Sequence, residues 1–283
     1  MKRILILMTA VLFPMLSGAQ AQINTKKIKI ADFPEKITKI VLTGNDFYDL
    51  MLRDEIAAGW TLSAYEFCTL EEFESLKHSD EYYFLLTVDG QFQKENVPGL
   101  SFLTLVKGGQ GAGEGISRML EVVSLPIASA ENPSGREFVF MPAFIDIIQD
   151  YTTTAMSKDI NGYMGLTTST EDLKSVLNME LLFADSDLAG EVDRAFIDLN
   201  FDSDMMVMDV DDIDSVMGAG TPEKLVSFTV APDEPVSGSY CYKMLIHPES
   251  HKLYYFRKHR ITKKFGAGFL KEDILRINKQ RGR

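Results

Sequence analysis

The chain has 283 residues, of which 45% are hydrophobic and 25% charged, and 29 Lys/Arg face 41 Asp/Glu for a formal net charge of −12. Those proportions describe a globular protein with ample chain for a core, and they exclude a disordered or low-complexity chain. The acidity excludes general nucleic-acid binding, which needs cations to neutralise phosphates.

The chain begins Met1-Lys2-Arg3, continues through an apolar run over residues 4–16, and reaches Ala19-Gln20-Ala21. A short basic start, an apolar stretch and an A-x-A ending form a secretory signal peptide, with cleavage expected between Ala21 and Gln22. The apolar run is shorter than the ~18–20 residues of a spanning helix, and no later stretch qualifies. The expected product is therefore residues 22–283 in the periplasm or outside the cell. It loses Lys2 and Arg3 and so carries −14.

Residues 36–43 read as a first strand. Asn45 follows as an N-cap, with Phe47, Leu50, Met51 and Ile56 at helical spacing toward Gly59. Residues 60–67 read as a second strand. Thr69-x-x-Glu72 is a capping box that opens a helix reaching His78. Residues 81–88 and 100–106 are the third and fourth strands, so this part runs β-α-β-α-β-β. A Gly-rich loop, 107–115, is expected to open a helix over 116–125. Another helix is expected over 141–157, and Thr168-x-x-Glu171 is a second capping box leading into 173–177.

Beyond that point the character changes. Residues 179–183, 195–200 and 205–210 read as short strands in acidic surroundings, and 225–230 as a clearer one. Residues 240–246 and 252–257 read as a hairpin, and 270–277 as a terminal helix. No internal repeat, low-complexity tract or long linker is visible. The fold class is α/β, with mixed α+β as the variant: an α/β part at 22–165 and a β-rich part at 166–283. A single interlocked domain over 22–283 fits nearly as well.

Four features bear on function. First, Gly108, Gly109, Gly111, Gly113 and Gly115 beside Lys107 lie between an expected strand and an expected helix. Backbone amides and a helix N-terminus could there cradle a phosphate or other small anion, although the pattern matches no named nucleotide fingerprint. Second, Asp198, Asn200, Asp202, Asp204 and Asp209 partly follow a calcium-loop spacing. Alternation with Leu199 and Phe201 favours a strand with an acidic outer face instead. Third, Cys68 sits beside a capped helix start, a position that lowers a thiol pKa and would suit a cysteine-dependent hydrolase. Both Cys68 and Cys241 lie at apolar strand-like runs, so free, buried thiols are preferred over a bridge between them. Fourth, residues 251–283 carry 11 Lys/Arg against two acids, whereas 171–214 carry 14 acids against Lys174 and Arg194. The two segments are expected to neutralise each other, and the alternative is a basic surface for an anionic partner.

Tyr240, Tyr242, Tyr254, Tyr255 and Phe256 read as cross-strand core residues rather than a ligand platform. His247 and His251 read as exposed turn residues. No cofactor motif and no G-x-S-x-G, H-E-x-x-H or C-x-x-C is present. The functional expectation is an exported, non-enzymatic binding protein whose partner is a protein or a small anion. A phosphate- or nucleotide-binding role for loop 107–115 and a Cys68 hydrolase are the alternatives.

Overall fold

The computed structural model describes residues 30–92, 94–157, 165–168 and 170–283, so the expected signal peptide lies outside the described residues. The first sheet contains β1 (Ile37–Val41), β2 (Tyr65–Cys68), β3 (Tyr82–Gly90), β4 (Leu100–Lys107) and β5 (Leu120–Ser129), in the order β2-β1-β3-β4-β5. Strand β1 is parallel to β2 and β3, while β3-β4 and β4-β5 are antiparallel. Helix α1 (Asp46–Gly59) joins β1 to β2 and α2 (Leu70–Leu76) joins β2 to β3. Both start as expected. Asn45 accepts the Tyr48 N–H, and the Thr69–Glu72 capping box is closed at both ends. After β5 come the short α3 (Arg136–Val139) and the long α4 (Met141–Ser157).

The second sheet contains β6 (Glu180–Ala184), β7 (Met205–Met208), β8 (Lys224–Val230), β9 (Tyr240–Ile246) and β10 (Leu253–Arg260). Its order is β10-β9-β8-β6-β7, with β6 parallel to β7 and β8 and antiparallel pairs at β8-β9 and β9-β10. Helix α5 (Arg194–Asn200) joins β6 to β7, α6 (Val210–Gly218) joins β7 to β8, and α7 (Lys271–Gln280) follows β10.

The second half, expected as a β-rich part with a hairpin and a terminal helix, has both and also carries α5 and α6. It repeats the same β-α-β-α-β-β-β-α path. The ladders fix the equivalent positions. Thr38 N donates to Ala64 O and Leu181 N to Asp204 O, and Val88 faces Phe102 as Val230 faces Tyr242. Thr69 caps α2 directly after β2, and Asp209 caps α6 directly after β7. At matched positions the residues differ: β1 ITKIV stands against β6 ELLFA, and β2 YEFC against β7 MMVM. The repeat thus survives in hydrogen-bond register rather than in residue identity.

Three local expectations fail. Residues 116–125 do not form a helix; a 3-10 turn, Ile116–Arg118, leads into β5. The apolar run of β5 is buried at successive positions, and Val122, Val123, Leu125, Ile127 and Ala128 join the core shared with α4, so a continuous apolar stretch serves a strand. Residues 195–200 form α5 rather than a strand, because Asp193 caps the segment by accepting the Phe196 N–H. The helical turn at Leu173–Val176 is capped by Asp172, which accepts the Lys174 N–H, and not by the expected Thr168–Glu171 box.

The units stack in the same sense, not face to face. Helix α4 is buried on nearly all sides, and its Phe144, Ile147 and Ile148 share one core with Leu103 of the first sheet and Val226 and Met244 of the second. Ile213 and Met217 of α6 enter that core from the second unit. Phe73 of α2 instead packs on the outer face of the first sheet, and Ile274 and Ile277 of α7 on the outer face of the second. The α1/α4 side of unit one thus meets the α6 side of unit two, a head-to-tail contact within one chain. Among the described residues, no helix is long and apolar enough to cross a membrane.

Candidate functional site

In an open sheet wound this way, the connections after β1 and β3, and equally after β6 and β8, leave in opposite directions. The carboxyl ends of those strands are where ligands bind. The two units treat this position differently. In the first, Tyr48 of α1 reaches over it: its half-buried hydroxyl lies 2.9 Å from Thr87 Oγ1, and its ring packs on Phe138. In the second, the equivalent Thr229 lines an open cleft of about 270 Å³.

The loops after β5, β6 and β8 and the segment before Phe269 form the cleft, with Asn132, Ser134, Ser186, Asp187, Thr229 and Asp233 among its polar groups. Gly268 permits the closest approach. At φ +103°, a Cβ there would lie 2.5 Å from Ala189 N, so only glycine lets this segment press against the loop carrying Asp187. Phe269 N then donates to Asp187 O at 2.7 Å and Ala189 N to Phe269 O at 3.0 Å.

Arg136 anchors the floor. Its guanidinium lies near the Phe140 and Phe228 rings, 5.4 and 5.1 Å from their centroids. Nε donates to Asp214 Oδ1 (2.8 Å), Nη1 to Asp187 Oδ1 (3.1 Å) and Nη2 to Ser227 O (3.2 Å). Ser227 Oγ donates to Asp187 Oδ2 at 2.6 Å and accepts the Ala184 N–H at 2.9 Å. Burial opposes the charge on Arg136, but Asp187 and Asp214 hold its pKa above the ordinary value. Burial likewise raises the pKa of Asp187, with Arg136 pulling against it. On the rim, Asn132 Nδ2 donates to Asp233 Oδ2 at 2.7 Å, and Asp233 N to Ser129 Oγ at 3.2 Å.

The residues singled out from sequence lie elsewhere. Loop 107–115 leads into 3-10 turns and then β5, so no helix N-terminus stands behind it. The amides of Gly108, Gly109 and Gly115 already donate to backbone carbonyls. A Cβ on Gly111 would fall 1.9 Å from Arg118 O, so Gly111 serves close packing. Gly113 lies within one of the turns, and Lys107 pairs with Asp32.

The calcium-like spacing is broken up in space. Asp198 and Asn200 sit on α5, Asp202 and Asp204 pair with Arg283, and Asp209 caps α6. Among the described residues no three metal-ligating side chains converge. Cys68 and Cys241 are free, buried and on different sheets. Burial pushes the Cys68 thiol up to about 11, which overrides the helix-start effect and opposes nucleophile chemistry.

The acidic and basic segments do meet within the chain, as Arg281 Nη2 lies 2.7 Å from Asp204 Oδ2. Tyr242 and Tyr255 are core residues. His247 is buried rather than exposed, and its Nδ1 accepts the Ser250 N–H at 3.0 Å; His251 Nδ1 lies 2.7 Å from Asp146 Oδ2 on α4.

Burial lowers the pKa of both His247 and His259 from 6.5. The unfolded chain then binds these protons first, so stability falls as pH drops through about 6.5 toward the folded values. Burial opposes the ionisation of Asp204 and Asp273, but Arg283 and Arg281 at the first and Lys243 at the second hold them below 3.8. Their contribution is present above 3.8 and is lost as pH falls through the lower folded values. Urea midpoints measured from pH 8 to pH 3 should decline in these two windows; a flat profile from pH 8 to pH 5 would contradict the neutral burial of the two histidines.

Sequence reading missed the Arg136–Asp187 pair, which is 51 positions apart. The available signal was the polar turn Asp185-Ser186-Asp187 directly after an apolar strand, the place where parallel strands present ligand groups. Comparison of the chain with protein-family models, curated proteins and solved structures finds no match.

Proposed function

We propose that this chain is an exported, non-enzymatic binding protein, released to the periplasm or beyond by cleavage near Ala21, and that it holds one small polar ligand in the cleft of its second unit. The observation that carries this reading is the contrast between equivalent positions. Thr87 is hydrogen-bonded to the Tyr48 hydroxyl that reaches over it, whereas Thr229 lines a polar cleft with a rigid floor. A site braced by a buried ion pair is preorganised, which lowers the ordering cost of binding.

The chemistry of the cleft supports a ligand rich in hydroxyl or amide groups. Each nitrogen of Arg136 already donates to the protein, and Asp187, Asp214 and Asp233 outnumber that one guanidinium. The cleft itself therefore offers a small anion little, and neutral saccharides fit better than phosphates.

Thermal unfolding of residues 22–283 with neutral mono- and oligosaccharides tests this. A ligand at 100 times its Kd adds about 2.7 kcal/mol, roughly 5–10 °C in Tm. Ser186→Trp fills the cleft from an exposed position, so it should abolish the shift and leave the ligand-free Tm almost unchanged. A shift that survives Ser186→Trp would place binding elsewhere.

A further inference from the structure

The carboxyl edge of the second sheet carries a second hollow beside the cleft. Strand β9 begins and β10 ends on this edge, and the chain that leaves β10 runs on to Ala267 and Gly268 in the cleft wall. Lys94, Gly238, Arg260 and Thr262 line a small depression of about 60 Å³.

Two features distinguish this corner from an ordinary solvated surface. The first is unbalanced charge. In a chain of net charge −12, Lys94 and Arg260 line the hollow, Lys258 stands beside Tyr240, and Lys263 and Lys264 follow Thr262 along the chain; Lys258 interacts electrostatically with Glu121, and none of the five forms an ion pair with a carboxylate among the described residues. Of the basic residues nearer the C-terminus, Lys271, Arg281 and Arg283 meet aspartates, while Arg276 and Lys279 form no ion pair among the described residues.

The second feature is placement. Lys258 and Arg260 flank one ring, at 5.2 and 5.5 Å from the Tyr240 centroid, and Arg260 Nη2 donates to Tyr240 Oη at 3.2 Å. That holds the guanidinium in one orientation while leaving Nε and Nη1 without a protein acceptor among the described residues. Lys94 sits at φ +83°, a conformation a lysine rarely adopts. The neighbouring Glu95 accepts the Phe92 N–H through Oε2 at 2.8 Å.

We propose that this hollow is an oxyanion site that takes a phosphate or sulfate group, with Arg260 as the oriented donor and Lys94 as the second cation. Arginine presents its N–H groups in a fixed fork suited to such oxygens, and the surrounding lysines raise the local anion concentration. The site does not depend on the cleft being a ligand site.

The test is a calorimetric titration of residues 22–283 with inorganic phosphate and with sulfate. Co-sedimentation with phosphatidylglycerol and phosphatidylcholine vesicles runs in parallel. Wild type should bind the free anions, or the phosphatidylglycerol vesicles alone, and binding should weaken as salt rises. Free-anion binding assigns a soluble source, and vesicle-only binding assigns a lipid headgroup. Lys94→Ala with Arg260→Ala should weaken either by about tenfold or more. Lys174→Ala with Arg194→Ala, cations outside this corner, should leave it unchanged, and so should Ser186→Trp. Equal affinity in the Lys94/Arg260 variant, or no binding to any of the four probes, would overturn the proposal. Loss in Ser186→Trp would show that the anion occupies the cleft instead, which also overturns it.

Discussion

Arg136→Met is expected to cost about 3–5 kcal/mol of folding stability, because it leaves Asp187 buried without its counter-charge. Arg136 and Asp187 are 10% and 4% exposed at their side chains, so water cannot replace the lost partner. The position matters as much as the burial. Arg136 lies in the link between the two units, and its acceptors Asp187, Asp214 and Ser227 all belong to the second. The pair therefore fastens one unit to the other at the floor of the cleft. For a chain of this length the loss corresponds to a Tm lower by roughly 6–20 °C. Asp187→Leu added to Arg136→Met should recover much of it, since two apolar side chains of suitable volume remove the stranded charge. Urea unfolding of both variants checks this. A loss under about 1 kcal/mol for Arg136→Met, within the range of exposed pairs, would mean that the pair is hydrated.

Lys243→Met should produce a loss of the same order, about 3–5 kcal/mol, by the same mechanism at another place. Lys243 on β9 is 1% exposed and meets Asp273 in the first turn of α7. Asp273 also accepts the Tyr255 hydroxyl at 2.7 Å and the Leu270 N–H at 2.9 Å. The carboxylate thus fixes the start of the C-terminal helix to the outer face of the second sheet. Hydrogen exchange should show the amides of α7 losing protection in Lys243→Met before those of β9 do. Protection that fell equally in all strands would indicate a global effect and no specific tethering of α7. Combining Lys243→Met with Asp273→Leu should cost less than the sum of the two changes, as expected of residues in direct contact.

Much of the fold was legible where one short-range signal decided the matter. The Thr69–Glu72 capping box, the Asn45 cap and the β9–β10 hairpin were all read from neighbouring residues, and all stand. The errors came where local signals compete. A strand buried at successive positions, such as β5, carries a continuous apolar run that also fits a helix. The short α5 carries alternating apolar residues that also fit a strand. The tandem repeat was invisible because it lies in register and capping positions, while the residues at matched positions, such as β1 ITKIV and β6 ELLFA, differ.

The site was the least legible part. Loop 107–115 drew attention through its glycines, yet Gly111 is there because Arg118 O leaves no room for a Cβ. Arg136, Asp187 and Asp214 carry no spacing that marks them. They converge only because the second sheet brings the ends of β6 and β8 against the α3 link. The basic C-terminal segment was legible as a charge excess, but its division into paired and unpaired cations depends on the fold.

The proposal to be tested is that, of two structurally equivalent crevices, the one in the second unit takes the ligand. Binding stoichiometry tests it most directly. Calorimetric titration with whichever neutral saccharide raises the Tm most should give one ligand per chain, and none in Ser186→Trp. Two ligands per chain, or one that persists in Ser186→Trp, would contradict the assignment of the second-unit cleft as the binding site.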